Sequence, residues 1–253
     1  MGSSDQVVTA QMAERSASSS ADFNAVLLAM AAHDLRQPLH IIARSFDWLA
    51  RPHAREREAA YLQHGKVAVR QLTDQLDRLA EAMRIHARGP ETELVPVGLQ
   101  LLFDRLRQDN EDTAERAGID LRVASTSATV MSDAALLDSM LRNLVRNAIK
   151  YTERGGRVLV GCRPHGTNVR IEVHDNGAGI PGYALAQIFE AFRRLNSGAS
   201  DGLGLGLFVV RRAAELLGHG IEVQSRLGHG SRFSVVARSS AAVPSISSAH
   251  ALA

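Results

Sequence analysis

Leu28, Leu35, Ile42 and Leu49 recur at strict seven-residue spacing between Ala21 and Ala50, with Leu39 and Phe46 beside that row. A repeat of this period belongs to a helix that must bury a seam against another helix. "RPHARERE", residues 51–58, breaks the pattern with Pro52 and a cluster of charges. Leu62, Val69, Leu72, Leu76, Leu79 and Met83 then resume a three-and-four rhythm. The spacing therefore predicts an α-helical hairpin over residues 21–88. Two helices cannot enclose their own seam, so the hairpin is expected to pair with a second copy as a dimeric four-helix bundle, making the chain a homodimer.

Gly89 and Pro90 in "ARGPETE" end that grammar and mark a linker at residues 89–94. A helix is predicted from Gly98 to about Ala117, a strand at "IDLRVA", a helix from Asp133 to Thr152, and a strand pair "RVLVGC" and "VRIEVHD" joined at "RPHGTN". After a Gly-rich stretch come a helix at about Gly204 to Leu217 and a last strand pair, "GIEVQS" and "SRFSVVA". Helices grouped with mostly antiparallel strands imply an α/β two-layer sandwich over residues 95–238. Residues 1–20 and 239–253 are Ser- and Ala-rich and are expected to be flexible tails.

Composition narrows the partners. The 253 residues carry 29 Lys and Arg against 27 Asp and Glu, and no long basic run gives a stripe for a nucleic-acid backbone. The longest apolar run, "AVLLAMAA" at residues 25–32, falls far short of the roughly 20 residues that cross a bilayer. No basic start followed by an apolar core opens the chain, so a cytoplasmic location is expected. The single cysteine, Cys162, sits on a predicted strand and reads as packing.

The helix "SDAALLDSMLRNLVRNAIKYT" carries two stripes. Leu137, Leu141, Leu144 and Ala148 form an apolar one, while Asn143, Asn147, Lys150 and Tyr151 form a polar one. Two asparagines one turn apart, then a lysine, suit a hard cation with phosphate oxygens beside it; a solvated face is the competing reading. In "VRIEVHD" the period of two puts Asp175 on the inward face with Val169, Ile171 and Val173. A carboxylate at the mouth of an apolar pocket requires a donor, and the exocyclic amine of adenine is one. "DNGAGI" follows, with Gly177 and Gly179 permitting tight turns. "DGLGLGL" opens a helix with Gly202, Gly204 and Gly206, which can present backbone N–H groups to an anion.

In this order "NLVRNAIKYT", "DNGAGI", "IFEAFRRL", "GLGLGL" and "GHGSRF" resemble the asparagine, glycine and phenylalanine boxes of the sensor histidine kinase ATP-binding domain. "HDLRQPL", residues 33–39, resembles that family's phospho-acceptor box on the first helix of its dimerisation hairpin. The resemblance implies an ATP-dependent protein histidine kinase that phosphorylates itself on His33 and passes the phosphoryl group to an aspartate of a response regulator in two-component signalling. It implies that Asn143 and Asn147 hold Mg²⁺, Lys150 meets phosphate, Tyr151 lies against the base and Asp175 reads adenine. Gly177 and Gly179 would then shape the base pocket, with Gly202, Gly204 and Gly206 flanking the phosphates. Phe189 and Phe192 are expected to anchor a lid that runs to Asp201, from which Arg193 and Arg194 reach phosphate or solvent.

With the leucine row as seam, His33 and His40 share the heptad position farthest from it. The neighbours separate them. Asp34 can hold the imidazole N–H of His33, whereas Leu39 and Ile41 flank His40. Pro38 lacks the N–H that would reach the carbonyl of Asp34, so a bend is expected there. Gln37, one turn after His33, stands where the family commonly has a Thr or Asn that assists dephosphorylation of the partner. Two alternatives differ in class: a clamp ATPase of related fold, and a non-catalytic dimeric scaffold. The clamp enzymes need a carboxylate four residues before the second asparagine, and Asn143 offers an amide there. With so few residues outside the two predicted domains, the sensor is expected to be a separate domain or protein.

Overall fold

The computed structural model describes residues 25, 27–29, 31–32, 34–50, 57–89, 92–193 and 203–240. They fall into two compact units: Met1–Arg88 with Ala191–Leu205, and Gly89–Glu190 with Gly206–Ala253.

Among the described residues the first unit holds two helices. α1 is helical at every described residue from 25 to 49, and α2 spans Glu58–Ala87. The residues that α1 buries most deeply are Leu27, Ala31, Pro38 and Ser45. The in-chain seam thus differs from the predicted one. Leu28 is 52% exposed, while Leu35, Ile42 and Leu49 are half-buried at its flank. A serine facing a glycine lets the two helices approach closely. A Cβ built on Gly65 of α2 would lie 3.5 Å from Ser45 Cβ, and Trp48 stacks on Tyr61 at 5.1 Å. Ser45 spends its hydroxyl on the Ile41 carbonyl at 2.8 Å, so its burial leaves no orphan donor. α1 stays helical through Pro38, whose ring is buried. Large apolar side chains remain outward on both helices: Leu39, Phe46, Leu62, Val69 and Leu76 are each at least 44% exposed. An apolar cavity of about 330 Å³ opens beside Phe46, Leu62 and Val69. Among the described residues no helix is long and apolar enough to cross a membrane.

The second unit is a five-stranded sheet in the order β2-β4-β5-β7-β6 with helices against one face. Its strands are β2 (Asp120–Val123), β4 (Arg157–His165), β5 (Asn168–Asp175), β6 (Gly220–Arg226) and β7 (Gly230–Arg238). All neighbours are antiparallel except β2 and β4. β1 (Val95–Gly98) and β3 (Thr129–Ser132) form a separate antiparallel pair. The helices are α3 (Leu99–Ala117), α4 (Ala134–Tyr151) and α5 (Gly206–Leu217).

α4 begins where it does because Asp133 Oδ1 accepts the N–H groups of Ala135 and Leu136 at 2.9 and 3.0 Å. Leu137, Leu141, Leu144 and Ala148 are buried on it, against a sheet face built from Val158, Val160, Val169, Ile171, Val173, Phe233 and Val235. The strands are in register, so their inward residues form rungs across the sheet. Val160, Val173, Phe233 and Val223 make one apolar rung. The rung at the end of the face is Val158, Asp175, Ser231 and Ser225, where the core turns polar.

Candidate nucleotide site

Asp175 ends β5 on the face set by Val169, Ile171 and Val173, all of them buried. Its Oδ1 accepts two backbone N–H groups, from Gly177 at 3.0 Å and from Ser231 at 3.1 Å. Burial raises its pKa above the ordinary aspartate value, against the pull of those two bonds and of His174.

Around Asp175 three stretches of backbone are too close for side chains. A Cβ on Gly177 would lie 2.2 Å from the Tyr151 carbonyl oxygen, which accepts the Ala178 N–H at 3.0 Å. Gly179 has φ +69°, and a Cβ there would lie 2.1 Å from the Arg226 carbonyl oxygen. Gly230 has φ +89°, with Asp175 O at 2.0 Å from the same construction. The Ala178 carbonyl accepts the Gly228 N–H at 2.7 Å, which fastens the Gly177–Gly179 loop to the β6–β7 turn. Asn176 fastens its other side, its Oδ1 accepting the Arg157 N–H at 2.6 Å. Sequence reasoning missed Asn176, Ser225, Ser231 and the packing of Gly230. "GHGSRF" was a signal for the last two, whereas Ser225 emerges only from strand register.

The asparagines of α4 meet the start of α5. Asn143 is buried, not on a solvated face, and its Nδ2 donates to the Ser139 carbonyl at 2.9 Å. That bond turns Oδ1 the other way, to 3.1 Å from a Cβ built on Gly206. The Asn147 amide oxygen and nitrogen lie 3.6 and 3.7 Å from the same point. Two amide oxygens therefore converge on the first residue of a twelve-residue helix whose leading N–H groups have no partner within it. Among the described residues no cluster of three His, Cys, Asp or Glu side chains could hold a metal. Amide oxygens suit a hard cation that draws its remaining ligands from water and phosphate, so the donors present fit Mg²⁺. Lys150 is exposed, with Nζ 4.8 Å from the ring centre of Tyr151, itself 51% exposed.

Gly204, at φ +66°, belongs to the unit of the hairpin, where its carbonyl accepts the Phe192 N–H at 3.0 Å. Phe192 is itself left-handed at φ 65°, so the two ends of the segment between them are pinned together. Phe189 packs edge-on to Phe233 at 6.5 Å. On α1, Asp34 is half-buried, and Gln37 and His40 are exposed. His33, Arg194, Asp201 and Gly202 lie outside the described residues.

Residues 132–240 match the family model described as histidine kinase-, DNA gyrase B- and HSP90-like ATPase. Over 82% of its length the chain is 34% identical to the sensor histidine kinase AtsR of Burkholderia thailandensis and covers 36% of that protein. It is 30% identical, again over 82%, to the sensor-like histidine kinase SenX3 of Mycobacterium tuberculosis, covering 52% of it. The chain thus spans between a third and about half of the length of these relatives. The crystal structure of full-length ShkA in complex with AMPPNP superposes with TM-score 0.61 at 27% identity, over 89% of this chain and 46% of that one. The mycobacterial sensor histidine kinase MprB gives 0.50 at 26% identity, over 58% and 97%. The ordered boxes on a helix-backed mixed sheet and these likenesses agree, and residues 132–240 form an ATP-binding domain of the histidine kinase-, DNA gyrase B- and HSP90-like ATPase family, of the sensor histidine kinase kind.

Proposed function

We propose that the chain is the catalytic core of a sensor histidine kinase, which binds Mg-ATP in its second unit and phosphorylates His33 on its helical hairpin. The observation that carries this reading is Asp175, a half-buried carboxylate held through one oxygen by Gly177 and Ser231 at the polar end of an apolar sheet face. The base amine of ATP supplies the donor such a group requires. Tyr151 flanks the base, Gly177 and Gly179 shape its pocket, and Lys150 neutralises phosphate. The helix start at Gly206 faces the phosphates, which Gly202 and Gly204 would flank as the family resemblance implies. Asn143 and Asn147 would hold Mg²⁺, which would offset phosphate charge when bound.

In the transfer, an imidazole nitrogen of His33 forms a bond to the γ-phosphorus as the bond to the β–γ bridging oxygen breaks and ADP leaves. Asp34 orients the ring. The phosphoryl group then passes to an aspartate of a response regulator, and Gln37 assists its later removal. The exposed apolar row of the hairpin supports pairing of two copies as a four-helix bundle. The amide at Asn143, in the place of a water-activating carboxylate, favours transfer to histidine over hydrolysis.

Radiolabelled ATP should label the protein with acid-labile, base-stable chemistry. His33→Gln should abolish the label and leave ATP affinity unchanged. Label persisting on His40 would refute the acceptor assignment.

A further inference from the structure

We infer that Ser225 is a positioning residue that fixes the direction of the Ser231 hydroxyl, giving the base pocket two adjacent acceptors and so a preference for 6-aminopurine over 6-oxopurine nucleotides. The inference rests on the reading of Asp175 as the base-contacting group and extends it to residues outside that reading.

Ser225 Oγ has three close partners. The Ile180 N–H donates to it at 2.8 Å, the Gly230 carbonyl oxygen lies at 2.9 Å, and Ser231 Oγ lies at 2.9 Å. A serine hydroxyl has one hydrogen and two acceptor sites. Ile180 can only donate, so it occupies one acceptor site. The Gly230 oxygen can only accept, so it takes the single hydrogen. Only the second acceptor site is left, and Ser231 must fill it by donating its own hydrogen to Ser225. The opposite choice would set the lone pairs of Ser225 against those of Gly230 at 2.9 Å.

The consequence falls on Asp175. Ser231 is its direct cross-strand partner on the same face and donates its backbone N–H to Oδ1. With its hydroxyl hydrogen spent on Ser225, Ser231 presents only lone pairs beside a carboxylate. Two acceptors side by side suit a purine edge bearing an amine at C6 and repel one bearing an oxo group there. The same serine ties the loop at Ile180 to the β6–β7 hairpin, so the acceptor pair and the loop above it are set by one side chain.

The test compares dissociation constants of ATP and ITP for the full-length chain. The parent should prefer ATP. Ser225→Ala frees the Ser231 hydrogen to turn toward the ligand, and the ATP-to-ITP preference should fall about tenfold, the worth of one hydrogen bond gained or lost. Ser225→Thr keeps the hydroxyl and should keep the preference. In a Ser231→Ala background, Ser225→Ala should leave the preference where Ser231→Ala alone put it. A folded Ser225→Ala protein with the parent's preference, or one that weakens both nucleotides equally, overturns the inference. Should that variant not fold, Ser225→Cys, a weaker donor and acceptor, must lower the preference, and an unchanged ratio overturns the inference. A parent that binds neither nucleotide, or binds both equally, overturns the underlying reading of Asp175 as well.

Discussion

Asp175→Asn separates recognition from folding because the two oxygens of this carboxylate do different work. Oδ1 accepts the Gly177 and Ser231 N–H groups at 3.0 and 3.1 Å, and an asparagine oxygen of the same shape can keep both bonds. Those bonds weaken when the acceptor loses its charge, by about 1 kcal/mol or less. Burial disfavours the charged form of Asp175, so removing the charge returns part of that loss. The melting temperature should therefore move by only a few degrees. Binding has no such compensation. The other oxygen becomes an NH₂ group, which places donor against donor at the base amine. Losing one charge-assisted bond costs about 1.5–3 kcal/mol, or roughly 10- to 150-fold in ATP affinity. Isothermal titration with ATP, beside thermal unfolding of the same sample, reads both effects. An affinity within threefold of the parent in a folded variant would refute the assignment of Asp175 to the base. The raised pKa of Asp175 also gives binding a pH dependence. The carboxylate is the acceptor form, so ATP binding should fade with acid at a pH above the ordinary aspartate value of 3.8, a limb that Asp175→Asn should lack.

Gly230→Ala would set a Cβ 2.0 Å from the Asp175 carbonyl at a φ of +89°, and the β6–β7 turn should give way, with a loss of about 3 kcal/mol or more in urea unfolding. A parent-like midpoint would show that the backbones part easily. His219, with Nε2 3.0 Å from Ser132 Oγ, has its pKa lowered by burial to about 4. Its ordinary value is 6.5, so between these values the unfolded chain binds a proton that the folded chain refuses. Stability should fall as pH drops from 6.5 to about 4, by at most about 3 kcal/mol, and His219→Gln should flatten that slope. An equal slope in the variant would assign the acid sensitivity elsewhere. Sedimentation of residues 21–88 should report a dimer, and a stable monomer at high concentration would refute the pairing argument.

Much of this architecture was legible because local signals agreed with one another. α4 declared both of its faces, with leucines at helical spacing and asparagines one turn apart, and Asp133 supplied its cap. Asp175 was placed by the alternation of Val169, Ile171 and Val173 alone. Other elements carried no local signal. β1 is four residues long and contains Pro96, and β3 is equally short, so neither shows an alternation; they exist by pairing with each other. The heptad row of α1 was read as a seam for two copies, and it does not tell which α1 residues one chain buries, namely Leu27, Ala31, Pro38 and Ser45. Ser225 and Ser231 gained meaning only when β5, β7 and β6 were laid in register, a property of pairing across 50 residues and not of either segment.

The two units differ in what their stability depends on. The sheet unit buries a core between strands and helices of one chain, and dilution leaves that contribution alone. The hairpin leaves Phe46 at 68% exposure and Leu62, Val69 and Leu76 near half. Any surface that covers them contributes by mass action, rising with the logarithm of its concentration. Diluting the protein should therefore loosen the hairpin while the sheet unit stays folded. Cellular abundance, as much as any stimulus, would then set how much of the hairpin is ordered at a given moment.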